Sequence, residues 1–429
     1  MKRRCFPDFI DACVEALGKD TPVPDNFAEW TALCAIAGAL GRRVWLDRGT
    51  FILYPNLYVA LVAPPGFGKS ISLNLPFRKI YQRLTTDIGT KENDSNFNPG
   101  VAEYGLTEYP LYLLDANITH PRLMQLLEKA HRIHMPLSRG NDLFHESPLM
   151  FMTSEFGNFM NKDDKSMHTC LTDMWDGTDP IHYWTKNMGD NTIRGVSFNW
   201  LSCVTPSEFV NNMPANAKDQ GLLSRIIVVK GSGTKPRELL INESANYNKA
   251  TDLACDLGQI ANMSGPFTID NDTAIAIQKD IDEGITPVPN DPILTEYCAR
   301  RISHLLKVTM SMAASKSNNT IITLEAWQRA KKLLLSAESD MPEVLRHFGM
   351  SRTGMIAIDL QQVLNKIVTT TKGVDGIPIT KFRREILKRV STPGEVEQTL
   401  KAMVEAGMIR QDGDAIYPSN SLHVQSQVA

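Results

Sequence analysis

The apolar run from Leu57 to Val62 ends in the octapeptide APPGFGKS, Ala63 to Ser70. A short apolar run bounded by turn residues reads as a strand buried on both faces, and so as part of a parallel sheet. The octapeptide follows the phosphate-loop spacing G-x-x-x-x-G-K-[ST] at Gly68, Lys69 and Ser70, with Ala63 in place of the first glycine. In such a loop small residues let backbone N–H groups curl around phosphate oxygens, and the following helix turns its positive end to the same anion. Pro65, Gly66, Phe67 and Gly68 form the expected cradle. Lys69 is expected to reach the β- and γ-phosphates, and Ser70 to offer its hydroxyl to Mg²⁺, so ATP and Mg²⁺ are the implied ligands. Pro76 is expected to kink or end the next helix after about two turns.

Further apolar strand candidates are Leu111 to Leu114, Pro148 to Met152, Ser197 to Val204 and Arg225 to Val229. Helix-like segments such as Arg122 to His131 alternate with them, which indicates an α/β core with a mostly parallel sheet. Two helical segments precede this core, FPDFIDACVEALG and Ala28 to Leu40. From about Asp252 the strand signal fades into helices. From about Met355 the order is helix, short strand, helix, helix, strand and wing, a winged-helix pattern. The expected divisions are an N-terminal helical segment (1–50), an ATPase core (51–235), a helical lid (236–350), a winged-helix domain (351–418) and a tail (419–429).

Composition narrows the function classes. The 429 residues allow two or three domains. Net charge is −3, so a polycation that coats nucleic acid by bulk charge is excluded, and any nucleic-acid contact must be local. The seven cysteines show no C-x-x-C spacing and read as free thiols of a reducing compartment rather than a zinc site. The basic start MKRRCFPDFIDAC has no apolar core of a signal peptide, and no run of eighteen apolar residues exists. A soluble intracellular protein without a membrane partner is expected.

An NTPase needs a carboxylate at a strand end to hold the metal's water shell and orient the attacking water. Two strands supply one: LYLLDAN ends in Asp115, and PLMFMTSEFGNFM carries Glu155 with Ser154 before it. Downstream, Asp179 to Gly195 reads as a hairpin with a turn at Asn187 to Asn191. Next come VSFNWLSCVTP, a buried strand that ends in the polar Thr205, and GLLSRIIVV, with Arg225 ahead of an apolar strand.

This order resembles the AAA+ engine of the minichromosome maintenance (MCM) helicases across roughly residues 57 to 418. The chain as a whole is also similar to a phage and prophage family of helicase-like P-loop proteins. The resemblance favours Glu155 over Asp115 as the acid that polarises water, with Ser154 a weaker metal partner. It makes Thr205 a sensor 1 residue and Arg225 an arginine finger that enters a neighbour's site. Arg300, in RRISHLLKV, becomes a sensor 2 residue at the nucleotide, and TLEAWQRAKKLL the next lid helix.

The resemblance further implies a ring of subunits, a hexamer, acting on single-stranded or forked DNA in phage or mobile-element replication within a bacterial host's cytoplasm. Lys186 and Arg194 on the hairpin, with Tyr183 and Trp184 nearby, are the expected DNA contacts. In the terminal domain Lys381, Arg383, Arg384, Lys388 and Arg389 are followed by a helix richer in Glu395, Glu397 and Glu405 than in Lys401. An acidic helix is a poor base reader, which favours docking to replication proteins there. The alternatives are a DNA-bound switch that loads or initiates without unwinding, and an ATPase that remodels proteins.

Overall fold

Five of the apolar runs pair side by side in one sheet. The structure, a computed structural model, describes residues 4–18, 21–85, 111–115, 118–134, 143–154, 156–161, 163–185, 189–213, 221–231, 233, 243–345, 352–370, 376–390 and 392–419. The chain divides into two units, Met1–Arg346 and His347–Ala429.

In the first unit the sheet strands are β1 (Tyr58–Val62), β2 (Leu113–Leu114), β3 (Arg132–His134), β4 (Phe144–Thr153), β5 (Val196–Val204) and β6 (Ile227–Lys230). Their order is β6-β1-β5-β4-β2, all parallel, with β3 antiparallel to β4. Every residue of β1 and β5 is buried, as expected for strands covered on both faces. Because the strands are parallel, the loops that leave them share one end of the sheet. The segments that enter them share the other.

The helical path after β1 does not stop at Pro76. Lys69–Ser72 is α-helical, Asn74–Ile80 widens into a π-helix, and Tyr81–Leu84 tightens into a 3₁₀ turn. Phe77 N and Arg78 N both donate to Leu73 O, at 3.2 and 3.4 Å. The wider turn accommodates a ring that has no N–H to give. The α-helical part is therefore shorter than the expected two turns, and the helical path is longer.

Six helices set the layers: α1 (Phe9–Gly18), α2 (Asp25–Leu40), α3 (Lys165–Asp176), α4 (Glu243–Ala261), α5 (Arg301–Lys316) and α6 (Leu324–Leu345). α2 is buried almost all round and packs against β5, α1, α4 and α5. Its small residues allow this close approach: a Cβ on Gly38 would lie 3.0 Å from Tyr81 Oη and 3.1 Å from Met150 Sδ. The N-terminal helices thus belong to the body of the first unit. α6 packs along the edge strand β6. Sequence patterning missed Val44–Asp47, Ile52–Leu53 and β3, short strands whose pairing partners lie elsewhere in the chain or across a turn.

One buried carboxylate ties these pieces together. Glu146 on β4 is fully buried, and its oxygens accept from Arg43 Nη1 at 2.8 Å and from Arg132 Nε and Nη2 at 3.0 and 2.8 Å. Arg43 also donates to Ala39 O at the end of α2 and to Ala261 O, 3.0 Å away, at the end of α4. The chain reaches Arg43 through Gly41, where φ is 57° and a Cβ would sit 2.3 Å from Glu146 Oε1. Only glycine fits there.

The second unit holds helices Arg352–Thr370, Ile379–Leu387 and Pro393–Glu405, with antiparallel strands Ile377–Pro378, Ile409–Asp412 and Ala415–Pro418. Leu360, Leu364, Phe382, Ile386, Met403 and Ile416 form its own core. Several of its basic residues are paired: Arg383 with Glu397 at 3.0 Å, Lys388 and Arg389 with Glu385 at 2.6 and 3.4 Å, and Lys401 with Glu405 at 3.7 Å. Among the described residues no helix is long and apolar enough to cross a membrane.

Removing one partner of a buried ion pair leaves the other charge without compensation. Glu146→Gln should therefore destabilise the protein by about 3–5 kcal/mol. Urea unfolding checks this: a change within about 0.5 kcal/mol, the size of an ordinary surface substitution, would show that the triad does not hold the layers.

Candidate functional site

β1 delivers the phosphate-type loop to the strand-exit end of the sheet. Ala63 N donates to Val204 O at 3.2 Å, so the ladder runs one residue past Val62 before the loop departs. Gly66 and Gly68 both have φ of 79°, a conformation costly for any other residue type. The Phe67 ring packs at Gly231, where a Cβ would lie 2.8 Å from Phe67 Cε1 and 2.9 Å from Phe27 Cζ. Phe67 thus anchors the loop against α2.

Lys69 Nζ folds back and donates to Ala63 O at 2.5 Å and Pro64 O at 2.8 Å. Burial lowers its pKa, with nearby Cys203 and Glu208 opposing. Ser72 Oγ and Cys203 Sγ hold Lys69 O at 2.5 and 3.3 Å, fixing the backbone beneath the ammonium. Ser70 is exposed beside it. Left-handed glycines, a lysine whose partners among the described residues are loop carbonyls, and an open hydroxyl fit phosphate chemistry. Pro65 lies exposed on the same loop.

Of the other expected site residues that are described, Thr205 is brought next to this loop. It follows β5, the neighbour of β1, and Val62 pairs with Val204. Its hydroxyl accepts from Glu208 N at 3.2 Å and so caps the helix Pro206–Asn212, and it shares a hydrogen bond of 3.4 Å with Ser207 Oγ. Ser154 is exposed just past the end of β4, one strand further out. Glu155 lies outside the described residues.

Asp115 is far from the loop. Its strand is three ladder steps from β1, about 14 Å at ~4.8 Å per step. The register also puts it level with Met152 and Leu201, and so with Val59, about 10 Å short of Val62 along the strand. Its carboxylate pairs with Arg78 at 3.1 Å.

Arg225 and Arg300 come together at the opposite end of the sheet. Arg225 sits in a 3₁₀ turn (Leu223–Arg225), two residues before Ile227, which pairs with Val59. It is therefore about 16 Å back along the strands from Val62 and cannot serve its own loop. A Cβ on Gly221 would meet Arg225 Nη1 at 2.9 Å and Arg300 Nη2 at 3.8 Å. Arg300, expected as a sensor 2 residue at a nucleotide, stands beside Arg225. Its pKa is lowered by burial and then by Arg225's charge.

Arg225 does not project. It is 5% exposed, donates to both Asp176 oxygens (Nε at 3.1 Å, Nη2 at 2.5 Å) and to Gly221 O at 2.7 Å, and lies over the Trp175 ring. Asp176 ends α3, and the chain enters the hairpin a few residues later at Ile181.

The helix behind Arg300 carries groups that sequence reasoning did not single out. His304 donates to Ser224 O at 2.9 Å, and full burial pushes its pKa down to about 3. Lys307 is buried, donates to Asn56 Oδ1 at 2.6 Å and Trp175 O at 2.9 Å, and caps the Trp175 ring at 4.3 Å. Burial lowers its pKa to about 7. The signal was legible: Lys307 stands three residues after His304 on the apolar face of α5. Asp176 had no such signal, because its partner is distant in sequence.

The hairpin pairs Ile181–Thr185 with Gly189–Ile193, Thr185 facing Gly189. Gly189 to Asn191, expected within the turn, are paired strand residues. Lys186 lies outside the described residues. Arg194 is exposed beyond the base pair Ile181–Ile193, at the end away from the turn, and Tyr183 packs edge-on against His120 at 5.0 Å. Gly195 closes the base: a Cβ there would lie 1.9 Å from His145 O.

Set against the sequence patterns of known protein families and the sequences of characterised proteins, the chain matches none.

Lys307 gives a pH signature. Unfolded, a lysine titrates near ~10.4; folded, this one titrates near about 7. Between those values the unfolded chain binds a proton that the folded chain does not, so this group makes stability rise with pH; below about 7 the slope vanishes. Urea unfolding of wild type and Lys307→Met at pH 7, 8 and 9 should show a difference that grows by up to about 1.4 kcal/mol per pH unit. A pH-independent difference would rule out the depressed lysine.

Proposed function

We propose that the protein is an ATP-hydrolysing motor of the AAA+ type that assembles into a ring, a hexamer, and moves along or unwinds DNA. The observation that carries this reading is the placement of charge on the sheet. A phosphate-type loop sits at one end, and an arginine pair sits at the other, out of reach of the same chain's loop. A site built from both needs two copies of the chain, with the loop from one and the arginines from the next. The strand order supports it, since the Thr205 strand lies between the loop strand and the Glu155 strand. The second unit supports it as a winged helix, with its three helices and three antiparallel strands.

In this reading Lys69 binds the β- and γ-phosphates and the loop amides hold their oxygens. Ser70 would help hold Mg²⁺, which would supply charge neutralisation, with Ser154 a weaker partner. Glu155 accepts hydrogen bonds from the attacking water and aligns it. Thr205 donates to the same water or to the γ-phosphate. Arg225, with Arg300 beside it, neutralises charge on the phosphoryl group of the neighbour. Lys186 and Arg194 contact DNA phosphates. The winged-helix unit, several of its basic residues paired with glutamates, docks replication proteins.

Mixing variants tests the composite site. Lys69→Ala should lose ATP binding, and Arg225→Ala should bind ATP yet turn over about 10³-fold slower. Mixed together they should recover turnover, since each supplies what the other lacks. Mixed rings without recovery would exclude a site shared between copies. Strand displacement by the wild type separates a motor from a loader, and DNA-stimulated turnover separates both from a protein remodeller.

The DNA contact has its own measurement. In a single-stranded DNA titration against salt, Lys186→Ala should reduce the log–log slope by about 0.7 for each phosphate that is no longer neutralised. Wild-type binding by Lys186→Ala, with weak binding by a Lys381/Arg384 double alanine, would transfer the contact to the terminal unit.

A further inference from the structure

The exposed member of the Arg225–Asp176 pair is the carboxylate. Asp176 is 42% exposed at its side chain, whereas Arg225 is 5% exposed. Both Asp176 oxygens are engaged by the Arg225 fork, and a third donor is engaged by Gly221 O. A carboxylate and a phosphate compete for the same guanidinium fork, because both offer two oxygens at matching spacing. An incoming phosphate therefore meets negative charge first, and finds the arginine already neutralised.

Arg300 stands within electrostatic reach of two carboxylates, Asp176 and Glu296, and its guanidinium makes no hydrogen bond or ion pair with another described residue. It is a ready alternative partner for the carboxylate.

We propose that Asp176 is a latch on the proposed arginine finger. In the isolated chain it holds Arg225 inward, and Arg225 becomes available to a neighbour's triphosphate only when Asp176 lets go and turns to Arg300. The latch rests on the reading of Arg225 as a residue that acts between copies, and it adds a regulatory element to that site. Its consequence is a subunit that does not present its arginine until a neighbour with bound triphosphate competes for it. Hydrolysis is thereby confined to assembled rings. Asp176 contacts neither the nucleotide nor the attacking water; it acts through Arg225.

The test is ATP turnover per subunit measured across a range of protein concentrations for wild type, Asp176→Asn, Asp176→Ser and Asp176→Glu, with ATP binding followed on the same samples. The first two should reach half-maximal turnover at a protein concentration at least threefold lower than wild type, with ATP affinity unchanged. Asp176→Glu keeps the charge and should stay near wild type. Adding Arg225→Ala to Asp176→Asn should abolish the gain, an epistasis that loss of a merely structural ion pair would not produce. An unchanged or higher half-point in both neutral variants, or a gain that persists without Arg225, overturns the latch. A wild type that neither binds nor hydrolyses ATP overturns the underlying reading as well, and that result is distinct from ordinary wild-type turnover with unresponsive Asp176 variants.

Discussion

Glu146 cannot stand alone in the interior. A buried carboxylate is tolerable only if its oxygens are met by opposite charge and hydrogen bonds. The chain meets it from two directions, with Arg43 arriving after α2 and Arg132 from the adjacent strand β3. Arg43 also collects the end carbonyls of α2 and α4, which are left without helical partners. One side chain on the sheet thus fixes where two helices stop. The position of α2 in turn sets the ground on which the Phe67 ring and the phosphate-type loop rest.

A similar device recurs in the helical part of the first unit. Arg301 on α5 binds both Glu338 oxygens, at 3.0 and 2.8 Å, and donates to the carbonyls of Gly284, Ile285 and Pro287. Of two consecutive arginines, then, Arg301 is consumed by structure and Arg300 remains beside Arg225. Lys307 does for α5 and α3 what Arg43 does for α2 and α4: it reaches across to Asn56 and to the Trp175 carbonyl. The surroundings of Arg225 are therefore set by helices on both sides, and Asp176 is the exposed element among them.

The parallel sheet separates the chemistry. Loops leaving the strands carry the glycines, Lys69, Ser70, Thr205 and Ser154. Segments entering them carry Arg225 and the hairpin base. Backbone pairing fixes that separation, since each register step is about 3.3 Å and no side chain spans five of them. Under the proposed reading, this distance is the physical reason that one copy of the chain is not enough.

Much of the fold was legible. The parallel strands were marked by apolar runs, because burial on both faces leaves no place for polar residues. The loop was marked by glycines, because only they tolerate its backbone angles. Long helices were marked by apolar residues at helical spacing. Short strands such as β3 were not marked, because two or three residues carry no periodicity and are defined by their partner. The choice between Asp115 and Glu155 could not be made from either segment alone; strand order and register set Asp115 apart from the loop. The sequence by itself determined where the main strands and helices run and where the glycine loop leaves its strand, since these follow from local backbone sterics and apolar patterning. Tertiary structure alone decided that Arg225 and Arg300 meet, that Asp176 covers one of them, and that both lie at the far end of the sheet from Lys69. Those facts depend on which strands pair and in what register, and that is settled by burial and charge compensation between residues far apart in the chain.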